Sequence, residues 1–191
     1  MLPEQIIYLG LVIYIAGYYF YIKDIFLGDT RPNLVSWLLW VLGPIVGAFL
    51  QFKGGAGLSL LPILVGGLGP LTIVGIFLWR KNGFWKITLF DIICGVFSMI
   101  AILIYVITHN LSFSIIFAIL SDALGFIPTY KKSWTNPESE SWGMYAASAL
   151  FNVIGVLTIR SWSFPIYSFG IYLVIGNLLQ LVIMYRRKIF Q

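Results

Sequence analysis

What most constrains this chain is a series of apolar stretches, each about twenty residues long and each ended by charge, glycine, proline or asparagine. A helix needs about 20 largely apolar residues to cross the hydrocarbon core of a bilayer. Seven segments meet that need, at roughly 5–26, 34–52, 58–79, 87–108, 111–130, 142–159 and 163–185. Runs such as Phe97-Ser98-Met99-Ile100-Ala101-Ile102-Leu103-Ile104 do not alternate apolar with polar residues, as the strands of an outer-membrane barrel would. Composition points the same way. Of 191 residues, 60% are hydrophobic and only 10% charged, where a soluble domain carries roughly 25%. A soluble fold of this size cannot hide so much apolar surface. That excludes a soluble enzyme, a nucleic-acid-binding module and a disordered scaffold. The expected fold class is all-α: a polytopic membrane protein with seven transmembrane helices.

Seven spans put the termini on opposite sides. With the N-terminus outside, the inner loops and ends hold Lys23, Arg31, Arg80, Lys81, Lys86, Lys131, Lys132, Arg186, Arg187 and Lys188, and the outer ones only Lys53 and Arg160. Cytoplasmic loops carry the excess of Lys and Arg, so N-out, C-in is expected. The net charge of +5 then reports topology rather than an anionic partner. Trp79, Trp85, Trp134 and Trp162 lie near span ends, where aromatic belts form. The start, Met1-Leu2-Pro3-Glu4, lacks the positive region of a signal peptide. The seventh span has no lysine, which removes a retinal protein. The one cysteine, Cys94, allows no intrachain disulfide.

Two segments repeat. Pro32-Asn33-Leu34-Val35-Ser36-Trp37 and Pro137-Glu138-Ser139-Glu140-Ser141-Trp142 both read Pro-x-x-x-Ser-Trp, 105 residues apart, at the cytoplasmic starts of spans 2 and 6. The same offset pairs Trp40 with Tyr145, Gly43 with Ser148 and Gly47 with Asn152; Pro62 precedes Pro165 by 103 residues. The expected organisation is a first three-helix bundle at 1–84, a linker helix at 85–110 and a second bundle at 111–191. An odd linker helix makes this 3+1+3 arrangement a parallel repeat. Proline disfavours a helical residue before it and suits a helix's first turn. Asn33 and Ser36, or Glu138 and Glu140, can then serve the free N–H groups of that turn.

This arrangement, with Ile127-Pro128-Thr129-Tyr130-Lys131 leading to Pro137, and Gly176-Asn177-Leu178-Leu179-Gln180-Leu181 ending in Tyr185, resembles the SWEET/PQ-loop superfamily. That superfamily holds sugar facilitators, lysosomal amino-acid exporters, nicotinamide riboside transporters and KDEL receptors. The chain lacks the Pro-Gln pair, and Gly66-Gly67-Leu68-Gly69-Pro70 stands in span 3 where a sugar facilitator has Pro-Asn. It is also similar to uncharacterised bacterial seven-helix proteins carrying Arg-Pro-Asn-x-x-Ser-Trp-x-x-Trp. The resemblance implies a solute transporter working by alternating access, in the bacterial inner membrane; a non-transporting sorting receptor or sensor is the alternative.

Span 2 carries Ser36, Trp40, Gly43, Gly47 and Gln51 on one face, and span 6 carries Ser141, Tyr145, Ser148, Asn152 and Gly155. Such stripes serve either close helix packing or a pore lining. On the second reading Trp40 and Tyr145 stack on a solute, and Asn152 and Asn177 hydrogen-bond it. Asp122 lies nine residues before Lys131, near the midplane. A carboxyl there costs a few kcal/mol at least, so it must face the bundle interior with a partner. It is either a structural group bonded to Ser121 or a tyrosine, or one that couples protons or binds a cationic group. Asp91 is shallower and structural, within reach of Lys86. Pro32, Trp37, Pro128, Pro137 and Trp142 form the structural or gating set, and Gly66 to Pro70 a hinge. His109 falls in a short outer loop. No catalytic, metal-binding or cofactor-binding constellation is present in the sequence. The partners expected are the lipid bilayer and a small polar solute such as a sugar, amino acid or vitamin-like compound, carried by facilitated or proton-coupled transport. No nucleic acid is expected, and a homo-oligomer is left open.

Overall fold

The computed structural model describes residues 2–80, 87–108 and 110–189, without the side chains at 80, 90, 94, 97, 98, 101, 102, 104, 105 and 187–189. Lys81, Trp85, Lys86 and His109, and the side chains of Arg80, Cys94, Arg187 and Lys188, lie outside the described residues. Among them the helices are α1 (Ile7–Leu27), α2 (Leu34–Lys53), α3 (Leu61–Arg80), α4 (Leu89–Thr108), α5 (Leu111–Thr135), α6 (Trp142–Leu157) and α7 (Phe164–Ile189). Single 3-10 turns stand at Glu4–Ile6, Leu58–Leu60 and Pro137–Ser139, and no strand occurs among the described residues. Five segments are long and apolar enough to cross a membrane: Glu4–Leu27, Leu34–Lys53, Leu58–Trp79, Leu111–Thr135 and Phe164–Arg186. The chain is an all-helical, polytopic membrane protein.

Local chemistry sets the breaks. Gly28 ends α1 in the left-handed region (φ 88°), where a side chain would be strained. Pro32 then keeps the backbone extended, and the Asn33 side chain caps α2 by accepting from the Ser36 N–H at 3.1 Å. Asn110 caps α5 in the same way through the Phe113 N–H. At the start of α4, Asp91 accepts from the backbone N–H and hydroxyl of Thr88 at 2.8 and 2.9 Å, a reciprocal cap. Its other oxygen accepts from the Asn33 amide at 3.2 Å. This bond ties the start of α4 to the start of α2 and buries Asp91.

Helix α1 packs against α6; α2 against α3 and α5; α5 also against α4 and α7; and α6 against α7. Outward faces are apolar, with Leu9, Val12, Phe49, Leu71, Leu103 and Ile175 exposed. Inward faces hold Asn33, Gln51, Asp122, Lys132, Asn152 and Gln180, all buried. That is the inverse of a soluble protein and suits a chain solvated by lipid.

Two sequence expectations need correction. From sequence α5 ends at 130 with Lys131 and Lys132 in a loop; in the fold it runs on to Thr135, and Lys132 is buried. The lysine has found acceptors inside, so the helix need not stop to give it water. The two Pro-x-x-x-Ser-Trp copies also differ. Trp37 closes the first turn of α2 and is 2% exposed, whereas Trp142 is the first residue of α6 and 55% exposed. The cause is the turn Pro137–Ser139, which separates Pro137 from α6, while Pro32 lies directly before its capping Asn33. Glu140 does not serve the α6 N-terminus either, because Lys132 draws it inward.

Candidate functional site in the helix bundle

Between the helices lies a cavity of about 50 Å³, lined among the described residues by α1, α2, α3, α5, α6 and α7. Trp40, Asp122, Tyr145, Asn152 and Asn177, the five candidates for solute or proton, all line it. Their steps of three and four within α2 and α6 present them to one side, and packing of α2 on α5 and of α6 on α7 brings those sides together. The close approach of α2 to α5 depends on Gly43. A Cβ there would sit 2.9 Å from the Cβ of Asp122.

Asp122 is fully buried. The Tyr172 hydroxyl donates to its Oδ2 at 2.7 Å, while Oδ1 has no hydrogen-bond partner. The Trp40 ring packs on Phe126 (centroids 4.7 Å apart) and edge-on against Trp37 (5.4 Å). Its indole N–H has no partner. Asn152 donates from Nδ2 to the Ser148 carbonyl at 2.9 Å and leaves Oδ1 unpaired. Asn177 likewise donates to the Leu173 carbonyl at 2.8 Å. So Trp37 and Trp40 each offer a buried donor, and Asp122 and Asn152 a buried acceptor each, around a single cavity. Leaving each unpaired costs about 1–3 kcal/mol, and partners entering the cavity remove that cost. Pro44 and Pro70, inside α2 and α3, also line it. Proline has no N–H, so the carbonyls of Trp40 and Gly66, four residues earlier, lose their helical donors.

No family model, curated protein or solved structure matches this chain. The function must come from the site.

Below the cavity sits a charge cluster that sequence reasoning missed. Lys132 and Glu140 form an ion pair with both side chains fully buried. Tyr21 of α1 and Tyr145 of α6 each donate a hydroxyl to Glu140 Oε2 at 2.9 Å. Lys132 also donates to the carbonyls of Arg31 and Ser139. One carboxylate therefore joins α1, the α1–α2 loop, α5 and α6 at their Lys-rich end. Tyr145 has its ring on the cavity and its hydroxyl in the cluster, so the two are coupled. A sequence signal existed: Glu140 stands eight residues after Lys132, across a turn opened by proline. At the opposite end Gln51 donates to the Ile166 carbonyl at 2.5 Å, and Glu4 pairs with the exposed Arg160 at 2.9 Å.

Of the structural set, Pro128 is buried inside α5, and Asp91 forms the cap described above. Tyr14, Trp37, Gly66, Pro70 and Phe126 also line the cavity without having been singled out for it. Tyr14 and Phe126 sit on α1 and α5, whose striping is hidden by apolar residues on every face.

Proposed function

We propose that this protein is a membrane transporter, facilitative or proton-coupled, that moves a small polar solute through the central cavity by alternating access. The observation that carries it is the set of unpartnered buried polar atoms on Trp40, Asp122 and Asn152, around one cavity. Most buried polar groups in native proteins are paired, so each exception needs an explanation, and a ligand entering the cavity explains those that converge on it. In a membrane a buried carboxyl with one oxygen left without a partner points to a solute or proton path.

The reading includes seven spans in a 3+1+3 parallel repeat, N-out and C-in, in a bacterial inner membrane, as in the SWEET/PQ-loop superfamily. Helix packing supports it. If α1, α2 and α3 are exchanged with α5, α6 and α7, the contact of α1 with α6 becomes that of α5 with α2. The contact of α2 with α3 becomes that of α6 with α7. Both pairs are principal contacts, as a two-fold axis along the membrane normal requires. The Lys132–Glu140 cluster then acts as the inner gate.

Uptake into proteoliposomes tests the function. Purified protein should take up at least one member of a mixed pool of labelled sugars, amino acids and vitamin-like compounds faster than protein-free liposomes. Trp40→Ala should remove most of that uptake while remaining folded. A Trp40→Ala variant that transports as well as the parent removes the central cavity from the path. Asp122→Asn, nearly isosteric but unable to ionise, should abolish any dependence of uptake on a proton gradient.

A further inference from the structure

Resting on the transport reading, we propose that the solute is a small organic cation, an ammonium compound that also bears a hydroxyl or similar polar group, with Asp122 as its counter-ion. Three independent features of the cavity carry this. The first is charge. Asp122 is the one acidic side chain in the lining, and no Lys, Arg or His lines it among the described residues. Lys132, further along the same helix, is held by Glu140. A carboxylate buried in a membrane needs an opposite charge or a proton. Nothing in the lining supplies the charge; a cationic solute supplies it and holds Asp122 ionised, and an ionised Asp122 repels an anionic solute.

The second is the wall. Trp37, Trp40, Phe126 and Tyr145 line the same cavity as Asp122 and give it aromatic walls. Ring faces attract an ammonium group, more strongly where water is excluded. The third is the set of unpaired atoms. An ammonium N–H meets Asp122 Oδ1; a hydroxyl on the same solute donates to Asn152 Oδ1 and accepts from the Trp40 indole N–H. A neutral polyol can satisfy the last two groups but leaves the carboxylate without a counter-charge. The volume sets the size. A cavity of 50 Å³ has room for about three or four waters, which suits a solute of about four non-hydrogen atoms.

Three matched probes separate the classes: ethanolamine (cation), ethylene glycol (neutral) and glycolate (anion). Each is titrated into detergent-purified protein at fixed ionic strength in potassium buffer, and melting temperature is followed, since a ligand of the folded state raises it. Ethanolamine should give a saturable rise, half-complete at a concentration at least about tenfold lower than ethylene glycol needs; glycolate should give none. In Asp122→Asn the advantage of ethanolamine over ethylene glycol should disappear. Equal shifts from ethanolamine and ethylene glycol would overturn the cation assignment yet leave the cavity as a solute site. A rise of the same size with sodium chloride would overturn it in favour of a bare inorganic cation. No saturable shift with ethanolamine overturns it too, and the transport reading then rests on the uptake experiment alone. The wild-type comparison decides the matter even if Asp122→Asn does not fold.

Discussion

At the scale of single residues, the strongest forces act where charge is buried. Glu140 accepts from two tyrosines and Lys132 with no water in reach, so removing either charge leaves the other stranded. Breaking such a pair on one side costs about 3–5 kcal/mol. Glu140→Gln and Lys132→Met should each lower stability by that order. The double variant should lose clearly less than the sum, because the second change removes an already unpaired charge. Unfolding midpoints of the four proteins measure this; simple additivity would mean that the two groups do not act as a pair. Tyr145→Phe keeps the ring on the cavity and removes one donor to Glu140. It should lower stability by about 1.5–3 kcal/mol, the worth of a hydrogen bond to a charged group, and shift the gate toward opening.

At the scale of helices, close approach is set by glycine and seating by caps. Gly43 lets α2 lie against α5 at the level of Asp122. In Gly43→Ala the new methyl meets the base of a side chain that cannot swing away. The helices must part, at about 1–3 kcal/mol, and solute binding should fall with stability. Asp91 does two jobs for α4: it closes the reciprocal cap with Thr88 and holds Asn33 of the α2 cap. Asp91→Ala should cost about 1–2 kcal/mol and loosen α4, read as faster hydrogen exchange at residues 88–92. Solute selectivity should stay unchanged, since no described residue of α4 lines the cavity. A change in selectivity would place α4 on the solute path.

At the scale of the whole molecule, the exchange of α1–α3 with α5–α7 that maps principal contacts onto one another predicts opposite sides for the two ends. A reporter fused after Gln191 should read cytoplasmic, and one before Met1 external. Both reporters on one side would remove the seven-span count and the repeat together. Alternating access on this plan is a rocking of one bundle against the other, about contacts of α1 with α6 and of α2 with α5. The Lys132–Glu140 cluster crosses that seam at one end, and the Gln51–Ile166 bond and Glu4–Arg160 pair fix the other. A gate-open bias from Glu140→Gln should therefore appear as increased labelling of a cysteine placed at Ser148 by a cytoplasmic thiol reagent.

Sequence by itself determined where the helices lie and most of their breaks, the end of α5 excepted, because a bilayer demands apolar length and because glycine, proline and asparagine act within one turn of where they stand. It also determined which residues of α2 and α6 share a face, since helical period alone decides that, and so Trp40, Tyr145 and Asn152 were legible. Asp122 was legible because a carboxyl at its depth must turn away from lipid and toward the bundle interior. What only the tertiary structure decided is who meets whom. Tyr172 reaches Asp122 from fifty residues away, and Asn33 reaches Asp91 across 58. Lys132 in particular looks like an inner-loop charge when counted along the chain, and becomes half of a buried ion pair once α5 runs past it to Thr135. A charge near a helix end can go to water or to a partner. The choice depends on acceptors that other segments supply, and these are set by packing, not by any local pattern.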